Sequence, residues 1–210
     1  LKEGFKKNTK GKYSADNPKI YHCGDVMHDN SLYFSSVADT RSEILQRYHL
    51  EPGKYMLGTL HRNNNTDEPK RLNAIFSAFL KISEKEKMPL VLPLHPRTSK
   101  ILENTLAKDL LEKVKASTYL QICAPASFID MIALEKNCTL VITDSGGVQK
   151  EAFFFHKPCL ILRTETEWTE LVNCGAALLT DANEKKIVSG YSHFKKKKKL
   201  KFPPLFGNGK

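Results

Sequence analysis

Three short segments carry side chains that could do chemistry on an anionic ligand. The first is Thr143-Asp144-Ser145-Gly146-Gly147-Val148-Gln149. The apolar run Thr139–Thr143 predicts a strand that passes straight into Ser-Gly-Gly and then into a helix over Gly146–His156. A helix entered this way aims free N–H groups and its positive end at one spot, which suits a diphosphate. Gly146 and Gly147 let a phosphate approach with no Cβ in the way, and the Ser145 hydroxyl adds a hydrogen-bonding group. Glu151, six residues beyond Ser145, offers a carboxylate to ribose hydroxyls. The same residues also fit a plain strand-to-helix turn capped by Asp144 or Ser145. A nucleophile elbow is excluded, because G-x-S-x-G requires glycine where Thr143 stands. The second segment is His61-Arg62-Asn63-Asn64-Asn65-Thr66, directly after the apolar run Tyr55–Leu60. The third is Leu94-His95-Pro96-Arg97, directly after Leu90–Leu94. An imidazole and a guanidinium at a strand end can face an anionic leaving group. A lone histidine is more often a structural hydrogen-bonder. Two such clusters beside a Ser-Gly-Gly turn favour a shared anion site.

These segments need a scaffold that gathers strand ends. Apolar runs at Lys19–Cys23, Tyr55–Leu60, Leu90–Leu94, Thr118–Ile122, Thr139–Thr143, Cys159–Leu162 and, weakly, Ala176–Thr180 read as strands. Between them lie helical stretches: one through Leu32, Tyr33 and Val37, then Arg41–Tyr48, Glu68–Lys87, an intact or broken helix over Thr98–Leu111, Phe128–Lys136, Gly146–His156, Thr166–Cys174 and Glu184–Tyr191. Uninterrupted apolar strands alternating with helices indicate a parallel sheet covered on both faces. About six βα units predict an α/β fold, a Rossmann-like doubly wound parallel sheet, whose ligands sit outside the carboxyl ends of the strands.

Composition narrows the partners. The net charge of +10 is uneven: residues 1–12 hold +4 and residues 195–210 hold +7, so 13–194 stands at −1. A nucleic-acid binder carries its basic stripe on the folded body, so neither nucleic acid nor membrane is an expected partner. Lys195–Lys199 reads as a solvated, self-repelling loop, with contact to acidic lipid or nucleic acid as the alternative. No apolar run is long enough to span a bilayer. The five cysteines include no CxxC pair and read as reduced thiols of a cytoplasmic protein, with no metal site and no cofactor. A chain opening on Leu1 suggests a processed or truncated protein.

Four ordered motifs carry a resemblance: Gly58-Thr59-Leu60-His61-Arg62, Pro93-Leu94-His95-Pro96-Arg97, Thr143-Asp144-Ser145-Gly146-Gly147-Val148-Gln149-Lys150-Glu151-Ala152, and Lys157-Pro158-Cys159-Leu160-Ile161-Leu162-Arg163. Together they resemble the carboxyl-terminal domain of the non-hydrolysing UDP-N-acetylglucosamine 2-epimerases, which have the two-domain GT-B architecture. The resemblance implies a UDP-binding domain over 19–194. It makes 1–18 a junction from a missing amino-terminal domain and 195–210 a basic segment leading to a missing last helix. It also implies a reaction in which UDP is eliminated and added back with C2 inverted, using carboxylates of the missing domain. By resemblance, Ser145, Gly146 and Gly147 hold the phosphates, Glu151 the ribose, and His61 is catalytic against the diphosphate, with Arg62 beside it. Ala126 and Met131, in the loop Pro125–Met131, border the uracil. His95, Arg97 and Trp168 sit near the interdomain cleft, where some members bind a regulatory sugar nucleotide. The partners implied are UDP, a UDP-N-acetylhexosamine, the chain's own amino-terminal domain and a second copy in a homodimer. The pathway implied is supply of sugar nucleotides for cell-surface polysaccharide. Trp168 stands where the best-known branch has arginine, Met131 where an aromatic residue often lines the uracil pocket, and Asn64 where an acid is common. The Glu167-Trp168 pair looks more like the branch acting on UDP-2,3-diacetamido-glucuronate. Two other readings remain: half of a GT-B glycosyltransferase, which would transfer sugar to an acceptor, and a non-enzymatic nucleotide-binding module.

Overall fold

A computed structural model describes Ser14, Pro18, residues 24–197 and residues 199–207. The expected strand at Lys19–Cys23 and most of the junction 1–18 lie outside the described residues. In chain order the elements are α1 (Val26–Arg41), α2 (Ile44–Arg47), β1 (Met56–Thr59), α3 (Asn63–Thr66), α4 (Pro69–Glu86), β2 (Leu90–Pro93), α5 (Pro96–Thr105), α6 (Lys108–Ala116), β3 (Leu120–Cys123), α7 (Phe128–Asn137), β4 (Val141–Thr143), α8 (Gly146–Phe154), β5 (Cys159–Ile161), α9 (Thr169–Asn173), β6 (Ala177–Leu179) and α10 (Glu184–Lys196). None of the described helices is long and apolar enough to cross a membrane.

The six strands form one parallel sheet in the order β3-β2-β1-β4-β5-β6. Successive strand residues point to opposite faces, and the core divides accordingly. Met56, Leu90, Leu92, Ile142 and Leu160 pack under α4, α5, α6 and α10. Leu57, Val91, Val141, Cys159 and Ile161 pack under α1, α2, α7, α8 and α9. The helix α4 shows why each element lies where it does. Pro69 starts it with φ already helical, and Lys87 ends it in the left-handed conformation at φ 50°. Leu72, Ile75, Phe76, Phe79 and Ile82 recur at helical spacing and are all buried. Each stabilises the fold by roughly 1.5–3 kcal/mol. β1 lies so close beneath these rings and β2 that a Cβ on Gly58 would sit 2.8 Å from Leu92 Cδ1.

Of the two forms expected for 98–111, the broken one is found: two helices, α5 and α6, parted by an extended Leu106. Three local readings change. Asn63–Thr66, read as loop, is the single turn α3. Helix α10 continues to Lys196, so Lys195 and Lys196 form its last turn, where cations face the negative helix end. Residues 200–207 do not depart from the body. Phe202 and Leu205 pack on the second core layer, and Phe206 is 9% exposed against Phe153, Phe154 and Trp168. The lysine-rich composition hid three apolar anchors.

Candidate functional site

Strand order decides where the chemistry gathers. The chain builds outward from β1 through β2 to β3, then returns to lay β4 on the other side of β1. In doubly wound sheets the ligand crevice lies at such a reversal, which here falls outside the carboxyl ends of β1 and β4. Thr59 pairs with Thr143 there, and their hydroxyls lie 2.5 Å apart. β1 then delivers His61 and Arg62, and β4 delivers Asp144, Ser145 and Gly146, to opposite lips of one crevice.

Asp144 joins the lips. Its carboxylate is fully buried and accepts from His61 Nδ1 at 3.0 Å, the Arg62 backbone N–H at 3.0 Å and the Asn65 amide at 3.1 Å. The His61 backbone N–H adds two longer contacts of 3.3 Å. Asn65, on α3, is held in turn by Arg71 of α4, whose Nη2 and Nε donate to its oxygen at 2.9 and 3.1 Å. Arg71 also pairs with Asp181 at 2.5 Å. Burial works to raise the Asp144 carboxyl, but these donors outweigh it and hold the group below its ordinary value. The bond to Asp144 raises His61 above its ordinary value, against burial and the Arg62 charge. Sequence reasoning weighed Asp144 only as a possible cap and passed over Asn65. The signal is an acid one residue past an apolar strand, but its partners lie 79 to 83 residues away and meet it only through strand order.

The Ser-Gly-Gly turn has the expected form. Ser145 caps α8, its hydroxyl accepting from the Val148 N–H at 3.4 Å, and its own N–H donates to Thr143 Oγ1 at 2.9 Å. The fold does not itself need the two glycines that follow. Neither has a positive φ, and an added Cβ would meet nothing closer than 3.6 Å at Gly146 or 3.8 Å at Gly147. Glycine in a helix costs about 1 kcal/mol relative to alanine, so two in succession here are not explained by the local backbone. The Trp168 indole N–H donates to the Gly146 carbonyl at 2.9 Å, placing Trp168 against this turn. Arg163 grips Glu167 through two bonds of 2.7 and 2.8 Å, which pushes Glu167 down to about 2. Arg62 approaches the same carboxylate at 4.0 Å.

Other expected residues are less close. Glu151 lies further along α8, partly buried, and burial raises its carboxyl while Lys150 opposes the rise. Ala126 and Met131 sit around the start of α7, both partly buried against the second core layer that α8 shares. His95 caps α5 through its Nδ1, accepting from the Arg97 N–H at 3.3 Å, and both side chains are exposed at the end of β2. Among the described residues neither bonds to the His61–Asp144 network. Two buried charges were missed because charged residues in helices read as solvated. Lys150 is 4% exposed, paired with Asp25, the cap of α1, and 4.3 Å from the Trp168 ring centre. Glu135 of α7 is 1% exposed, with one carboxylate oxygen unpartnered; burial and the neighbouring Glu151 raise it well above its ordinary value. A cavity of about 550 Å³ lies elsewhere, between β3, α5 and α6, lined by Arg47, Leu102, Leu106, Val114 and Gln121. It holds none of the strand-end residues, so the convergent groups and not this volume mark the site. Among the described residues no cluster of His, Cys, Asp or Glu could hold a metal ion.

The family model for UDP-N-acetylglucosamine 2-epimerase matches residues 8–210. A UDP-N-acetylglucosamine 2-epimerase homolog of Methanococcus maripaludis is 40% identical over 179 residues, covering 85% of this chain and 48% of the relative. The UDP-2,3-diacetamido-2,3-dideoxy-D-glucuronate 2-epimerase of Pseudomonas aeruginosa is 42% identical over 170 residues, covering 81% and 44%. The solved UDP-GlcNAc 2-epimerase of Methanocaldococcus jannaschii superposes with a TM-score of 0.81 at 34% identity, over 91% of this chain and 53% of that one. The same organism's enzyme in complex with UDP-GlcNAc and UDP gives 0.79 at 32% identity, over 93% and 52%. The chain therefore spans about half the length of the relatives it matches, and its sheet is one Rossmann-like half of a GT-B architecture. With this match running through the strand-end motifs and the whole sheet, the chain belongs to the UDP-N-acetylglucosamine 2-epimerase family.

Proposed function

We propose that this chain is the UDP-gripping half of a sugar-nucleotide 2-epimerase. The intact enzyme would eliminate UDP from a UDP-N-acetylhexosamine and add it back with C2 inverted. Residues 19–194 form the nucleotide domain, residues 1–18 come from the junction, and the carboxylates that move the C2 proton belong to the other half. The observation that carries this reading is the pair Gly146-Gly147: two helix-opening glycines that nothing in the fold requires, on the β4 lip beside the β1 lip that carries His61. The free N–H groups of that turn suit the diphosphate, and the imidazole suits the charge that grows as the C1–O bond breaks. Glu151 takes the ribose, with Ala126 and Met131 near the base. His95, Arg97 and Trp168 face the other half. The free thiols Cys123, Cys138, Cys159 and Cys174 support a cytoplasmic setting, consistent with supply of sugar nucleotides to polysaccharide synthesis.

Isothermal titration of the chain with UDP tests the grip. The variant Gly147→Ala fits without a clash, so it melts at or above the wild-type temperature while losing most of its UDP affinity. Retained affinity in a folded Gly147→Ala chain refutes the assignment. On this reading the chain alone exchanges no C2 proton for deuterium with UDP-GlcNAc, as followed by NMR.

A further inference from the structure

The donors converging on Asp144 constrain the proton positions of His61. An ionised carboxylate only accepts hydrogen bonds, so the Nδ1 that faces Asp144 at 3.0 Å must carry a proton. The ring is fixed from behind, because Asp144 is itself immobilised by the Arg62 N–H and by Asn65, which Arg71 orients. The His61 side chain stays 58% exposed, so Nε2 is the nitrogen available to a ligand. We propose that Asp144 is the positioning residue of this site, locking the His61 ring and its Nδ1 proton so that an imidazolium Nε2–H meets the diphosphate. This rests on the UDP reading given above.

Other charges do not change the sign. Arg62 lies beside the ring and opposes its protonation. Arg163 and Glu167, from the segment after β5, largely neutralise each other through their two bonds. Asp144 is left as the dominant partner, and it raises His61 above the ordinary 6.5. UDP binding should therefore be strongest below the raised value. It should weaken as pH climbs through that value, by up to about tenfold per pH unit for a single linked proton. The phosphate pulls the other way: a terminal phosphate with second pKa near 6 gains charge as pH rises, which alone would strengthen binding. A fall above neutrality thus reports the protein.

The test is an NMR titration of the His61 ring in this chain, assigned with His61→Gln, alongside UDP titrations across pH. The expected result has four parts: a His61 midpoint above that of an ordinary histidine, the neutral ring protonated on Nδ1, a parallel break in UDP affinity, and both midpoints lowered in Asp144→Asn. Ser145→Ala should weaken UDP at every pH without moving the break. A neutral wild-type ring protonated on Nε2, or an unshifted midpoint, overturns the proposal even if the Asn variant fails to fold. An Asn variant that folds and leaves the midpoint in place also overturns it. Absence of UDP binding at every pH, with His61 titrating as expected, would instead sink the nucleotide reading and leave the Asp144–His61 linkage standing.

Discussion

Replacing Lys150 with methionine isolates one buried charge pair. The Lys150 ammonium is 4% exposed and Asp25 19% exposed, and the ammonium also lies 5.3 and 5.8 Å from the Phe206 and Phe154 ring centres. Removing one partner of a buried pair usually costs about 3–5 kcal/mol, because the survivor keeps its desolvation penalty. Two features place this case at the lower end. Asp25 also accepts the Met27 N–H at 2.8 Å as the cap of α1, and it keeps some contact with solvent. Methionine also refills the lysine stem and packs well against the rings. The expected loss is about 3 kcal/mol, or roughly 6–12 °C in melting temperature at this size. For Asp25, burial raises the carboxyl, but Lys150 and the Met27 N–H outweigh it and leave it below the ordinary 3.8. The pair's contribution is therefore complete above that ordinary value and fades as pH falls through the lowered one. Thermal melts of wild type, Lys150→Met, Asp25→Asn and the double variant form the assay. The double variant should recover part of the loss, since it leaves no lone charge. A Lys150→Met chain within 1 kcal/mol of wild type, or strictly additive single effects, would refute the reasoning.

Three other substitutions test the packing. Glu135→Gln should stabilise the chain at neutral pH by about 1–3 kcal/mol, because the buried acid's raised pKa favours the folded state only in acid; melts against pH should converge below the ordinary carboxylate value, and a pH-independent difference counts against this. Phe206→Ala should cost about 3 kcal/mol in urea unfolding if residues 200–207 belong to the core, and almost nothing if they do not. Gly58→Ala should cost about 1–3 kcal/mol, since its Cβ would press on Leu92 and on Leu90 at 2.8 and 3.1 Å, and a crystal structure would show both leucines displaced.

The sequence spoke clearly where the physics is local. The apolar runs at Tyr55–Leu60 and Leu90–Leu94 contain β1 and β2, because a strand buried on both faces needs apolar residues at every position. The Ser-Gly-Gly turn was legible because strand, cap and helix follow one another in the chain. It was silent where contact depends on topology. Asp144 and His61 become neighbours only once β4 is known to lie beside β1. Lys150 and Glu135 sit on α8 and α7, where charged residues read as solvated, and only the packing of α1, α7 and α8 against one another reveals their burial. Lys195–Lys199 drew attention through charge, while Phe202, Leu205 and Phe206 just beyond did the packing.

Reaching from the β4 lip to donors on the β1 lip, Asp144 staples the two strand ends together at the root of the crevice. Neighbouring strands are about 4.8 Å apart, and the bonds to Arg62 and His61 forbid their ends from splaying further. The two strand ends are thus tied to each other by side-chain bonds as well as by the sheet ladder. The amides of His61 and Arg62, though they lie just past a strand, should resist hydrogen exchange on the sheet's timescale rather than the loops'.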